Sequence, residues 1–340
     1  MRTRKFVHGN LEVSEIGMGC MGFSHGYGAV PEETYSVEAI RRAYDEGGCT
    51  FFDTAESYGD VVFYSGHNEQ LVGKAIESFR KEIVLATKFM IVPAELTNGT
   101  TVIDVLRRHL EKSMKNLRTD YIDLYYLHRV NTAVPVEDVA EAMGQLIGEG
   151  IIRGWGLSQV GVGTLEKAHA VTPVTAVQNL YSMLERDCEK DIFPYCLKHG
   201  IGVVPFSPIA SGFLSGKVTA DTRFDTVDDV RQWVPQLKKE NIVANQPILD
   251  ILADFSQRKH STNAQISLAW MLKKYPNVVP IPGSKNQERI LENLGAVNVE
   301  LTDDEFNTLE TALNACIVHG HRGHIESIEN NFGNNWKKKS

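Results

Sequence analysis

Three stretches decide how this chain is read: Cys49–Gly59 is CTFFDTAESYG, Glu82–Phe89 is EIVLATKF, and Tyr121–Arg129 is YIDLYYLHR. In each, a run of apolar residues leads into groups that hold or move a proton, namely Asp53 and Tyr58, then Lys88, then His128. A continuous apolar run is what a parallel strand buried on both faces requires. Polar chemistry at the C-terminal ends of successive parallel strands is how an eight-fold β/α barrel places its site.

Working outward, strand signals begin near Ile16, Thr50, Ile83, Tyr121, Ile152, Val174, Gly202 and Val278. Helical periodicity fills the gaps. Val37, Ile40, Ala43 and Tyr44 share one face before Gly47 and Gly48, and Val102, Leu106, Leu110, Met114 and Leu117 share another. A helix beginning near Pro135 ends at Gly150. Alternating strands and helices with right-handed crossovers predict an α/β chain folded as a closed (β/α)8 TIM barrel. Lys5 to Glu15, around His8, Gly9 and Asn10, predicts an N-terminal β-hairpin. The barrel is expected over residues 16–315 and a tail over 316–340, all in one domain. The interval from Gly202 to Val278 is about twice as long as the others. Its excess, Ala210 to Asn245 and two helical segments, is expected to lie over the catalytic face after the seventh strand.

Composition narrows the function classes. Of 340 residues, 42% are hydrophobic and 23% charged, which describes a globular protein with ample core. A formal net charge of -8 argues against a nucleic-acid partner. No apolar run reaches bilayer length, and the N-terminus lacks the apolar stretch of a signal peptide. Five scattered cysteines with no C-x-x-C read as reduced thiols of a cytoplasmic protein. Oligomeric state is not legible. His319, His321 and His324 form a glycine-rich loop rather than a metal site, so no metal is expected. GEGIIRG at 148–154 has strand and helix in the wrong order for a dinucleotide fingerprint.

The chemistry follows from the residue types. Tyrosine is a weak acid, with an unperturbed pKa near ~10. A lysine ammonium beside it favours the phenolate, and a carboxylate holds that lysine charged and aimed. Tyr58 as acid, Lys88 as its tuner, Asp53 as the lysine's partner and His128 as orienter form one proton-delivery group. Singly, each has a structural reading: an N-cap, a loop aromatic, a solvated strand end, a hydrogen-bonded histidine. No side chain supplies electrons, so carbonyl reduction needs a nicotinamide hydride.

The segments GMGCMGFS, FFDTAESYG, LATKF, DLYYLHR, RGWGLSQ, VQNLYSMLER, VPFSPIASGFLSGK and IPGSKNQERILENLGA resemble, in order, the signature segments of the aldo-keto reductase superfamily, from about Phe6 to about Ala315. The layout is closest to the bacterial, plant and potassium-channel β-subunit branches. The resemblance implies a barrel that uses NADP(H), with Asp53, Tyr58, Lys88 and His128 as the catalytic tetrad. It implies that Ser158 and Gln178 hold the nicotinamide carboxamide, with Gln159 where the family usually has Asn, and that Phe206 stacks on the nicotinamide. Ser207, Pro208, Ile209, Ser211, Gly212, Leu214 and Lys217 would line the pyrophosphate, and Gly22 would also touch the cofactor. Gly283, Ser284, Lys285, Gln287, Arg289, Glu292 and Asn293 would take the adenosine and its 2′-phosphate. A helix start beside two cations, Lys285 and Arg289, independently suits a phosphate.

The loops after the first, third, fourth, sixth and seventh strands nominate Met21, Phe23, Phe89, Arg129, Tyr181 and Trp233 as the wall of a substrate mouth for a small carbonyl compound. Arg129 either binds a carboxylate or hydroxyl-rich substrate or pairs with a neighbouring acid. The expected activity is NADPH-dependent reduction of an aldehyde or ketone. The alternatives are a nicotinamide-sensing regulatory subunit and a lyase or isomerase barrel without nicotinamide.

Overall fold

Parity along the strands builds this molecule. In the computed structural model, which describes residues 1–224, 226 and 228–323, each strand sends alternate side chains to opposite faces. The hairpin is β1 (Thr3–Phe6) and β2 (Leu11–Ser14), antiparallel, with Phe6 opposite Leu11. Seven parallel strands follow, paired strictly in chain order: β3 (Met18–Gly19), β4 (Phe51–Asp53), β5 (Val84–Phe89), β6 (Ile122–Leu127), β7 (Ile152–Ser158), β8 (Ala176–Gln178) and β9 (Gly202–Val203). The eighth side of the barrel is an irregular segment around Asn277–Gly283. It pairs with β9 through the Val203↔Val278 bridge and with β3 through the Gly19↔Gly283 bridge. Backbone bonds from Val279 N–H to Val203 C=O, 2.8 Å, and from Gly17 N–H to Pro280 C=O, 2.9 Å, seal both seams.

Helices α1 (Glu33–Asp45), α2 (His67–Ile76), α3 (Val102–Leu117), α4 (Val136–Gly148), α5 (Val162–Val171) and α6 (Ile192–His199) form most of the outer layer. After β9 come α7 (Lys239–Ala244), α8 (Gln246–Lys259), α9 (Asn263–Lys274), α10 (Gln287–Leu294) and α11 (Asp303–Asn314). The helix α3 starts on a capping box, Thr101 and Asp104 each satisfying the other's backbone N–H. None of the helices among the described residues is long and apolar enough to cross a membrane.

Two apolar layers result. Phe51, Val84, Ala86, Leu124, Tyr126, Ala176, Val204, Val279 and Ile281 fill the barrel interior, and Phe6, Leu11 and Val13 of the hairpin plug its N-terminal end. Phe6 fits because Gly202 has no side chain; a Cβ there would lie 2.3 Å from the Phe6 ring. Phe52, Leu85, Phe89, Tyr125, Leu127, Trp155, Leu157 and Val177 point the other way, into the larger cluster beneath the helices.

The stretch after β9 crosses the C-terminal face as expected. Its Asp229 bridges to Tyr27 in the loop after β3, and the Asp228 carboxylate accepts the Gly26 N–H at 2.7 Å. Arg231 chelates Asp229 and lies over the rings of Tyr27 and Phe224. The Asn245 side-chain amide donates to the His319 carbonyl and accepts the His319 N–H, while His324 lies outside the described residues.

Candidate active site

Parity and register assemble the site. Asp53 pairs with Ala86 on β5, Lys88 two residues on pairs with Tyr126 on β6, and Ser158 pairs with Gln178. Counting in twos from the interior residues Phe51, Ala86, Tyr126 and Ala176 therefore brings Asp53, Lys88, His128 and Gln178 to the upper, inward layer. Tyr58 arrives from the loop after β4, its N–H held by the Ala55 carbonyl.

The Lys88 ammonium has three hydrogens and three acceptors: Asp53 Oδ1 at 2.5 Å, the Thr54 carbonyl at 2.8 Å and Tyr58 Oη at 3.2 Å. Gln178 Nε2 donates to the other Asp53 oxygen at 2.7 Å. Burial works against the Lys88 charge most strongly of any one effect, but Asp53 and Tyr58 together outweigh it and the pKa ends above the ordinary lysine value. Burial pushes the Tyr58 hydroxyl up, and the neighbouring Lys88 offsets part of that rise. Taken with the expectation from sequence, the lysine lowers the phenol's pKa only against a larger opposing effect. Burial, then the cations Arg129 and Lys88, hold His128 well below the usual histidine range, so it is neutral. Its ring meets the Tyr58 ring edge-on at 5.7 Å, and Nδ1 lies 3.5 Å from Ser57 Oγ.

One neighbour escaped the sequence reading. His25, in the glycine-flanked loop after β3, tilts against Tyr58 at 5.5 Å between ring centroids, and its Nε2 has no partner. The same rule that nominated Met21 and Phe23, a loop following a strand's C-terminal end, also covered His25.

The expected dinucleotide residues divide. Ser207, Ala210, Ser211 and Gly212 all have positive φ, from 47° to 96°. Such a turn collects backbone N–H groups into an anion-holding concavity, and the Ser211 hydroxyl there is buried without a partner among the described residues. Phe206 packs on the interior cluster at the top of β9. Pro208, Ile209 and Leu214 belong to the same turn, and Lys217 reaches Glu292 at 3.9 Å. Gln159 has φ 57°, a conformation that asparagine tolerates better than glutamine, which accounts for the family's usual residue. Its Oε1 accepts the Leu180 N–H.

Around α10 the groups expected to receive phosphate are partly engaged. Lys285 donates to the carbonyls of Tyr27 and Ala29, both at 2.7 Å, and packs by Gly22. Asn286 caps the Arg289 N–H, and Tyr35 Oη takes that of Gln287, whose side chain is held by Arg42. Glu292 accepts Thr262 Oγ1, and Asn293 is buried. Ser284 bonds Asn286, and Gly283 lies at the barrel seam. The Arg289 side chain is exposed.

Three expected wall residues lie elsewhere. Phe89 is of opposite parity to Lys88, so it stacks on Tyr125 in the outer core. Phe23 is likewise sealed in that core, and Tyr181 stacks on Trp270 and bonds Glu189. Met21 is half-buried beside Gly26, and Trp233 is exposed on the stretch after β9 that forms a strap over the C-terminal face. Arg129 pairs with no acid among the described residues; it donates to the His128 carbonyl and Ser158 Oγ.

Barrel and site together define a class: a β/α barrel whose strand ends gather a buried Lys–Asp–Tyr group, with a left-handed turn from Ser207 to Gly212 following β9. The model of the aldo/keto reductase family matches residues 15–314, and the chain belongs to that family. It is similar to a probable aldo-keto reductase of Glycine max, 36% identical over 317 residues, which is 92% of this chain and 89% of that one. An aldo/keto reductase of Klebsiella pneumoniae solved in complex with NADP and acetate is 26% identical, with a TM-score of 0.71 over 95% of this chain and 99% of its own. The glycerol dehydrogenase of Gluconobacter oxydans shares the fold at a TM-score of 0.81, over 93% of this chain and 96% of its own, with 24% identity.

Proposed function

We propose that the protein is an NADP(H)-dependent carbonyl reductase that converts an aldehyde or ketone to an alcohol, with Tyr58 as the general acid. The observation that carries this reading is the Lys88 ammonium bound at once to Asp53, Thr54 and Tyr58. Burial keeps Tyr58 protonated through neutral pH, as a proton donor requires. When the hydroxyl releases its proton to the carbonyl oxygen, the phenolate formed lies against a fixed positive charge. Asp53 keeps that charge from wandering, and neutral His128 offers an N–H to the same carbonyl oxygen.

The chain's own residues fit the dinucleotide. The orphaned Ser211 hydroxyl and the left-handed turn from Ser207 to Gly212 suit a pyrophosphate, and Ser158, Gln178 and Phe206 crowd the inner layer where a nicotinamide would lie. Bound there, the nicotinamide supplies the hydride.

Tyr58→Phe is the test. It should lower kcat/KM for carbonyl reduction by at least ~10²-fold, the scale of general acid catalysis, while NADPH binding followed by fluorescence stays near that of the wild type. Near-normal turnover in this variant would sink the mechanism.

A further inference from the structure

Arg129 is a cation in the floor of the proposed active site with no opposite charge to hold it. One nitrogen, Nη1, donates to the His128 carbonyl at 2.5 Å and to Ser158 Oγ at 3.1 Å, both neutral acceptors. Most other arginines with comparable cover have a carboxylate: Arg4 has Glu15, Arg80 has Asp123, Arg186 has Glu189 and Arg231 has Asp229, with Arg322 an exception among the described residues. Arg129 has none within 4.0 Å among the described residues, and burial presses against its charge with only the Tyr58 phenol to favour it. A guanidinium cannot relieve this by losing its proton. Taking a charge out of water without a partner is costly, so such a group persists where something else supplies the counter-charge.

The rest of the floor does not supply it. Asp53 is spent on Lys88, and His128 and His25 are both held below the usual histidine range. The local balance is one uncompensated positive charge, with the donors on Nε and Nη2 still to be met. Neither nitrogen is among the buried polar atoms sealed off without a partner, so both remain accessible to a ligand. A guanidinium edge of this kind takes a carboxylate with two parallel hydrogen bonds.

We propose that Arg129 is the anion-binding residue of this active site and that its substrates are short oxo acids, carbonyl compounds with a carboxylate one or two bonds from the reacting carbon. The short chain follows from the crowding of these groups: Arg129 Nη1 lies 3.1 Å from Ser158 Oγ, and its charge acts on both His128 and Tyr58, the residues proposed to meet the carbonyl oxygen. The assignment rests on the carbonyl-reductase reading above.

The experiment compares matched substrates, pyruvate with methyl pyruvate and acetoacetate with methyl acetoacetate, using NADPH and the wild type, Arg129→Lys and Arg129→Gln. The anionic-to-neutral ratio of kcat/KM should fall at least tenfold in Arg129→Gln and be partly kept in Arg129→Lys. The ratio cancels any common effect on folding or cofactor. Oxamate, an unreactive carboxylate, should compete with the neutral substrate in the wild type, and neutral oxamide should be at least tenfold weaker; this arm needs no variant. An unchanged ratio, equal inhibition by oxamate and oxamide, or an equal loss on both substrate classes would overturn the assignment; the last would place Arg129 on the cofactor side, through Ser158. Failure of the underlying reading looks different: the wild type would then reduce neither class.

Discussion

Buried charge in this protein is tolerated where it is answered atom for atom, as at Lys88, whose three donors find three acceptors. Glu185, in the loop after β8, is answered less fully. Its Oε1 accepts Gln236 Nε2 and the Arg322 N–H, yet burial pushes the carboxyl up to about 7 from 4.5. The folded chain thus binds this proton more tightly than the unfolded chain. The associated stability is complete below about 4.5 and is lost as pH rises through about 7. Glu185→Gln keeps an acceptor and removes the titration. Its stability relative to the wild type, from denaturant melts, should rise between pH 4.5 and 8 by up to about 3 kcal/mol; a flat difference would show that Glu185 ionises freely.

Among the elements, the irregular eighth side of the barrel decides most about the cofactor end. Gly19 and Gly283 pass so close that a Cβ on Gly283 would lie 3.1 Å from the Gly19 carbonyl oxygen. The same segment runs directly into Ser284, Lys285 and α10. Gly283→Ala should destabilise the fold by about 1–3 kcal/mol, as overpacking does, and raise KM for NADPH more than KM for the carbonyl. A variant that loses stability but leaves cofactor affinity alone would separate the seam from the cofactor end. Strand parity was legible here without any structure. In VLATKF, counting in twos from Ala86 puts Lys88 inward and Phe89 outward, so treating both as site residues overlooked a constraint already present in the sequence.

Across the whole molecule, net charge and local charge point in opposite directions. The chain carries -8, yet Arg289 stands exposed at the start of α10, while Lys285 is engaged by the loop after β3. A 2′-phosphate brings ~1.5–2 negative charges by analogy with other phosphomonoesters, and Arg289 is the cation free to turn toward it. Arg289→Ala should raise KM for NADPH tenfold or more with little change for NADH, and the gap should narrow with added salt as screening grows. Equal effects on both cofactors would remove Arg289 from 2′-phosphate recognition.

The sequence by itself determined the barrel, because buried parallel strands demand apolar runs and each run here ends in a group with acid–base chemistry. It also brought Asp53, Lys88 and His128 to the strand ends, since that needs only the strands' order and period, whereas Tyr58 comes from the loop after β4. The tertiary structure alone decided the rest. Phe23 and Tyr181 belong to the outer core because short strands pass into loops whose direction no periodicity records. His25 reaches Tyr58 because the first loop is pinned by the strap and Lys285, contacts made across more than 200 residues of chain. Arg129 is left without an acid for the same reason: whether a charge is paired depends on which distant segments the closed barrel brings beside it, and sequence spacing does not encode that.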